Sequence, residues 1–287
     1  MTLCSGYEFM KTADICIDSN RSANNILKKD IKHIMYIENY SKEDILKLHT
    51  AKIIFFPTNQ IRQVFHKFYK FFKENVIIIT HNSDHHIHNT NDVQKLYINC
   101  IDYLNLPKIK YWFAQNTLIK HNKLIAIPIG IANPQWVHGN INKLTEIKKK
   151  NNKKINLLFI NFDRGTRNKY KYRKPVLDIL KNKGYNTNFQ KEHQEQYWEK
   201  LSKSKFCISP HGNGVDCHRI WEAIFLNTIP IVLKNSACDS FKNLPILFIN
   251  SWEEISDNFL KAKSIEFNKN FNRDMIYIEY YKFNFEL

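Results

Sequence analysis

Along the first 130 residues, short apolar runs alternate with segments of helical period. The runs Asp14–Ile17, Ile31–Ile37, Lys52–Phe56, Val76–Thr80, Lys110–Phe113 and Leu124–Ile127 are rich in β-branched residues and predict strands. Between them, Ser41–His49 opens with Ser41 and Asp44, a capping-box variant. Asn59–Lys73 carries Ile61, Val64, Phe65, Phe68 and Phe72 at helical spacing. The stretch Asn140–Lys154 is Lys/Asn-rich with little period, and reads as a link between two halves. The alternation then restarts. Ile155–Phe162 predicts a strand, Tyr170–Lys183 a helix closed by Gly184 at its C′ position, and Gln194–Ser202 a further helix. Phe206–Ile208, Ile229–Leu233 and Ile246–Ile249 are strand-like, and Trp252–Phe283 is mostly helical, with Trp252, Ile255, Phe259 and Leu260 on one face. The expected class is α/β: two Rossmann-like domains, residues 1–140 and 141–287, with mostly parallel sheets facing a cleft.

Composition adds three constraints. At 287 residues and 43% hydrophobic, the chain can build two cores. It has no apolar run long enough to span a membrane, and its first residues lack a basic segment followed by an apolar core. A soluble, cytoplasmic protein is therefore expected. The formal charge of +16 allows a polyanionic partner, but the lysines are spread out and the chain is rich in Lys, Asn and Ile, so compositional drift explains the charge better than a specific nucleic acid. The six cysteines include no CxxC pair and sit largely in apolar runs, as reduced core thiols do.

The most informative stretch is FCISPHGNGVDCHRIWEAIFLNTIPIV, Phe206–Val232. Strand, loop, helix and strand follow one another. Ser209, Gly212, Asn213 and Gly214 give a turn whose backbone donors can approach an anion, and a helix start adds partial positive charge. Arg219 and Glu222, three apart, share a helix face. Arg219 can fork onto phosphate oxygens and Glu222 can accept from ribose hydroxyls. The plainer alternative is an Arg–Glu surface pair. Arg164, Thr166 and Arg167 follow the first strand of the second half, where two arginines can neutralise a diphosphate leaving group; a solvated basic loop is the alternative.

The string SPHGNGVDCHRIWEAIFLNTIPIV resembles the exostosin-type glycosyltransferase pattern S-P-x-G-x-G-x-D-x-x-R-x-W-E-A followed by I-P-V/I-V. It is similar, more distantly, to the donor half of other two-domain GT-B glycosyltransferases, and Leu157–Arg173 supports the likeness. The resemblance implies a GT-B fold, a sugar-nucleotide donor (most simply a UDP-sugar), metal-independent transfer, and a last helix that crosses back to the first domain. It places Asp216, Arg219 and Glu222 in the donor site and leaves the N-terminal domain for a glycan or other hydroxyl acceptor. Asn227 departs from the pattern, standing where glycine is common.

An inverting transferase also needs a base. The loop THNSDHHIHN follows the strongest strand of the first half and offers His81, Asp84 and His86. The same loop can be read as a metal site, making a metal-dependent hydrolase the rival enzyme, or as a polar loop with local bonds only. A non-catalytic glycan- or polyanion-binding protein is the rival outside enzymes. Trp136, in a turn-rich passage, is either a buried staple or a platform for a sugar ring.

Overall fold

The computed structural model describes residues 1–19, 30–163, 167–190, 192–235 and 240–285, with no side-chain detail for 167–170 and 283–285. The chain forms two compact units: Met1–Ile129 with Asn133–Gln135 and Tyr277–Leu287, and Gly130–Ala132 with Trp136–Ile276.

In the first unit, helix α1 (Gly6–Thr12) precedes strands β1 (Ile15–Asp18) and β2 (Ile34–Tyr36). Helix α2 (Lys42–Thr50), β3 (Ile53–Pro57), α3 (Ile61–Phe68) and β4 (Val76–His81) follow. The short strands β5 (His86–His88) and β6 (Tyr97–Asn99), helix α4 (Ile101–Leu104), β7 (Ile109–Ala114) and β8 (Leu124–Ala126) complete it. Six strands form one parallel sheet in the order β2-β1-β3-β4-β7-β8, and β5 pairs with β6 apart from it. Alternate strand residues serve two cores, as the period of two requires. Ile15, Ile17, Ile54, Phe56 and Ile78 pack with residues of α2 and α3. Cys16, Phe55, Ile77 and Ile79 pack with Phe9 and Met10 of α1 and with Ile278 and Tyr281 near the C-terminus. The capping box expected at α2 is formed: Ser41 Oγ accepts from the Asp44 amide at 3.1 Å, and Asp44 Oδ2 accepts from the Ser41 amide at 2.6 Å.

The second unit holds α5 (Ile141–Lys149), β9 (Asn156–Phe159), α6 (Arg167–Asn182), α7 (Gln194–Ser202), β10 (Ser204–Ile208), α8 (His218–Phe225), β11 (Ile229–Leu233), β12 (Leu247–Ile249) and α9 (Asp257–Glu266). Its four strands form a parallel sheet in the order β12-β11-β10-β9. Gly184 closes α6 in the left-handed region, φ +84°, as its expected C′ role demands. The expectation of a link over Asn140–Lys154 is corrected: Ile141–Lys149 is a helix capped by Asn140, with Leu144 and Ile147 buried. Two apolar residues three apart are too thin a stripe to show as period, yet they suffice when a facing helix covers them. The last helix, α10 (Ile278–Phe285), belongs to the first unit, where the Ile278 amide donates to the Thr2 carbonyl at 2.9 Å.

The α/β class and the parallel sheets are those the sequence predicted. Among the described residues no helix is long and apolar enough to cross a membrane. Cys4, Cys16, Cys100, Cys207 and Cys217 are unbridged, and all but Cys217 are buried; Cys238 lies outside the described residues.

Candidate functional site

Parallel pairing sets Cys207 beside Phe159, so β9 and β10 end next to each other. Their following segments, through Asp163 and from Ser209 to Cys217, carry the candidate chemistry. Burial of two guanidinium groups defines the place. Arg173, on α6, is only 5% exposed. Its Nε donates to the His211 carbonyl at 3.0 Å, and its Nη1 donates to the Asp163 carbonyl. One side chain thus ties the two strand-end segments together. Arg219, on the first turn of α8, is half-buried, and its Nε donates to the Tyr197 hydroxyl at 3.0 Å. The ring of Phe162 receives both, with Arg219 Cζ 5.5 Å and Arg173 Cζ 5.9 Å from its centroid.

Among the described residues neither arginine has a carboxylate within ion-pair distance, and Arg219 Nη1 is buried without a hydrogen-bond partner. A buried cation is costly unless an anion or several acceptors compensate it. The arrangement therefore suits an anionic ligand. Burial works against both charges; in Arg173 the neighbouring Arg219 lowers the pKa further, whereas in Arg219 the nearby Tyr197, the Cys217 and Cys207 thiols and Glu222 outweigh burial and raise it.

Glu222 lies one turn along α8 and is 4% exposed, so it is not half of a surface pair. Burial pushes its carboxyl up to about 7, against the opposing pull of Arg219 and of the Trp198 indole N–H. Asp216 Oδ1 accepts from the Trp221 indole N–H at 2.7 Å, fixing the approach to α8. His218 Nδ1 donates to the Gly130 carbonyl at 2.8 Å, and its ring lies 5.9 Å from that of His138, which stacks with Trp136. Trp136 is 54% exposed, so it is no buried staple.

The glycine turn differs from expectation in detail. The Gly212 amide is not open; it donates to the Gly214 carbonyl at 3.0 Å. A Cβ on Gly212 would make only ordinary contacts, 3.7 Å from Arg173 Nη2 and 3.8 Å from the Gly214 oxygen. Within the protein itself there is thus room for a side chain there. Ser209 is buried, with its hydroxyl turned back on the Cys207 carbonyl at 3.5 Å and its amide bonded to Ile231. Asn213 is half-buried in the turn. Arg164 and Thr166 lie outside the described residues; Arg167 is the first residue of α6, and its side chain is also outside them. Sequence reasoning missed Arg173. Its signal was the scarcity of arginine, seven in the chain, against an abundance of lysine. Asn227, which replaces the usual glycine, takes φ +58°, the left-handed conformation that asparagine tolerates and glycine adopts freely.

The His/Asp loop does not act as one cluster. His81 ends β4 and is buried. Its Nδ1 accepts from the Asn82 amide at 2.7 Å and its Nε2 donates to the Pro128 carbonyl at 3.1 Å, so both nitrogens serve the protein. His86 is buried on β5, edge-on to Tyr97 at 5.4 Å. Asp84 is exposed, and His85 bonds Ser83 Oγ at 2.9 Å. Among the described residues no three His, Cys, Asp or Glu side chains come together in a metal-ligand group.

The two arginines thus meet at the carboxyl ends of adjacent parallel strands, beside the start of α8, a place where α/β proteins commonly bind ligands. Residues 168–287, which include Arg173, Tyr197, Arg219 and Glu222, match the family model described as the RXYLT1 C-terminal domain. The match takes in the segment on which the exostosin-type resemblance rests. Among solved structures, an alpha-glucosyltransferase in complex with UDP and a 13-mer DNA containing a HMU base is similar over 94% of each chain, at 10% identity and a TM-score of 0.36. No curated protein matches the chain.

Proposed function

We propose that the chain is an inverting, metal-independent glycosyltransferase that moves a sugar from a nucleotide-sugar, a UDP-sugar in the first place, to a hydroxyl of a glycan acceptor. The second unit takes the donor and the first the acceptor. The observation that carries the proposal is the pair of guanidinium groups about Phe162, neither with a carboxylate within ion-pair distance among the described residues. Charge-assisted bonds from Arg219 to the diphosphate stabilise the departing nucleotide, in which negative charge develops as the anomeric C–O bond breaks. Arg173 holds the two strand-end segments in register around it, and Glu222 accepts from the ribose.

In the displacement the acceptor oxygen bonds to the anomeric carbon while the nucleoside diphosphate leaves with the electron pair. The acceptor proton passes to a base. Of His81, Asp84 and His86, Asp84 fills that role best, because it alone is exposed and the other two are buried.

Calorimetry with UDP, GDP and CMP tests the donor site. UDP should bind, and Arg219→Met should weaken it by about tenfold or more, the loss of one charge-assisted bond or slightly more. Equal UDP affinity in the variant and the wild type would remove the donor-site assignment. Asp84→Asn should abolish transfer from a UDP-sugar while leaving UDP affinity unchanged; full turnover in that variant would remove the base.

A further inference from the structure

The sheet of the first unit reverses its direction of growth between β1 and β3: β2 lies on one side of β1, and β3, β4, β7 and β8 follow on the other. In parallel α/β sheets, the crevice outside the carboxyl ends at such a point is where ligands bind. A cavity of about 260 Å³ sits there, lined from the ends of β1, β3 and β4 and from α1. None of its residues belongs to the arginine site.

Its polar lining is specific. Gln60 is 7% exposed, and its Nε2 donates to Asp18 Oδ1 at 3.0 Å. That bond fixes the amide, so the acceptor atom is Oε1, and Oε1 is buried with no hydrogen-bond partner among the described residues. A buried acceptor left without a donor costs free energy that a bound ligand can recover. The Asp18 carboxylate adds acceptor capacity, Asn59 and Asn82 border the cavity with amides, and Met10 and Phe55 give it an apolar wall. Among the described residues no Lys, Arg or His lines it, so it is unlike the arginine site and does not suit an anion.

We propose that this cavity binds a sugar ring, whose hydroxyls donate to Gln60 Oε1 and to Asp18 while a C–H face lies on Met10 and Phe55. The volume is below the roughly 300–1,000 Å³ typical of drug-sized ligands and suits a single ring. The name acceptor site rests on the transferase reading; the binding of a sugar does not.

The test is saturation-transfer NMR and calorimetry on the full chain, with methyl glycosides of galactose, glucose and mannose, with ethanolamine, and with UDP. At least one glycoside should bind without UDP present. Gln60→Met and Asp18→Asn should each weaken it by about tenfold or more, and Asn59→Ala, at an exposed position, should weaken it with the least risk to folding. UDP affinity, read from the other unit, should stay unchanged in all three. Binding of ethanolamine but of no glycoside, or a glycoside affinity that none of the three substitutions alters, would overturn the proposal. Failure of UDP alone to bind would count against the donor site and leave the sugar cavity standing.

Discussion

Replacing Glu222 by glutamine removes a buried acid without changing its size. In the folded chain, burial raises its pKa from the ordinary 4.5 to about 7, despite Arg219 and the Trp198 indole. The unfolded chain ionises near the ordinary value. Between pH 4.5 and 7 the folded state therefore holds a proton that the unfolded state has released, and stability falls as pH rises across that window. Below the window both states are protonated and nothing is lost. Above it both are ionised and the loss is complete. At about 1.4 kcal/mol for each pH unit, the difference between 4.5 and about 7 amounts to about 3 kcal/mol.

Glutamine cannot ionise, and its amide offers one donor side and one acceptor side, much as the protonated acid does. Near pH 4.5 the two proteins should thus unfold at similar urea concentrations. At pH 8 Glu222→Gln should be the more stable by about 3 kcal/mol. Urea titrations of the ligand-free chain at several values from pH 4.5 to 8, followed by Trp fluorescence and circular dichroism, measure the difference. His85 and His211 also have pKa values lowered by burial, but their contribution is common to both proteins and cancels in the comparison. A stability difference that does not change with pH, or one that favours the wild type at pH 8, would refute the buried-acid argument.

Further outcomes follow from single contacts. UDP affinity of the wild type should rise through about pH 7 as Glu222 becomes a full acceptor for ribose, and should lose that rise in Glu222→Gln, both read by calorimetry. Gly6→Ala would place a Cβ 1.7 Å from Asn82 Oδ1 and 2.7 Å from His81 Nδ1. Asn82 is held by Asn133 Nδ2 at 3.0 Å, so overpacking should cost about 1–3 kcal/mol in urea and outweigh alanine's better helix propensity. Asn227→Ala should lose about 1–2 kcal/mol because alanine is strained at φ +58°, whereas Asn227→Gly should stay close to the wild type.

Elements with strong pattern were legible from the chain alone. Gln194–Ser202 and Ile229–Leu233 form over the predicted residues because each is long or apolar enough to decide its own state. Helix α1 was missed for the opposite reason. It has seven residues, and its buried face of Gly6, Tyr7, Phe9 and Met10 makes sense only once Gly6 lies against Asn82. The glycine-bearing loop and Arg219 were legible as chemistry, whereas the clamp made by Arg173 was not. Nothing local marks Arg173, since its two acceptors are backbone carbonyls, at His211 and Asp163, and a carbonyl carries no residue signature.

The histidine loop shows the converse. His81, Asp84 and His86 are close in sequence, but β4 carries the first into the core and β5 the third, while Asp84 stays in solvent between them. Residue type announces which chemistry is possible. Strand register decides which groups converge: with Cys207 beside Phe159, one arginine can reach both strand-end segments, and a slip of one residue would turn alternate side chains to the other face. The arginine cluster is thus a property of the β9–β10 pairing as much as of its arginines. A substitution that weakens that pairing should lower UDP affinity even with Arg173 and Arg219 intact.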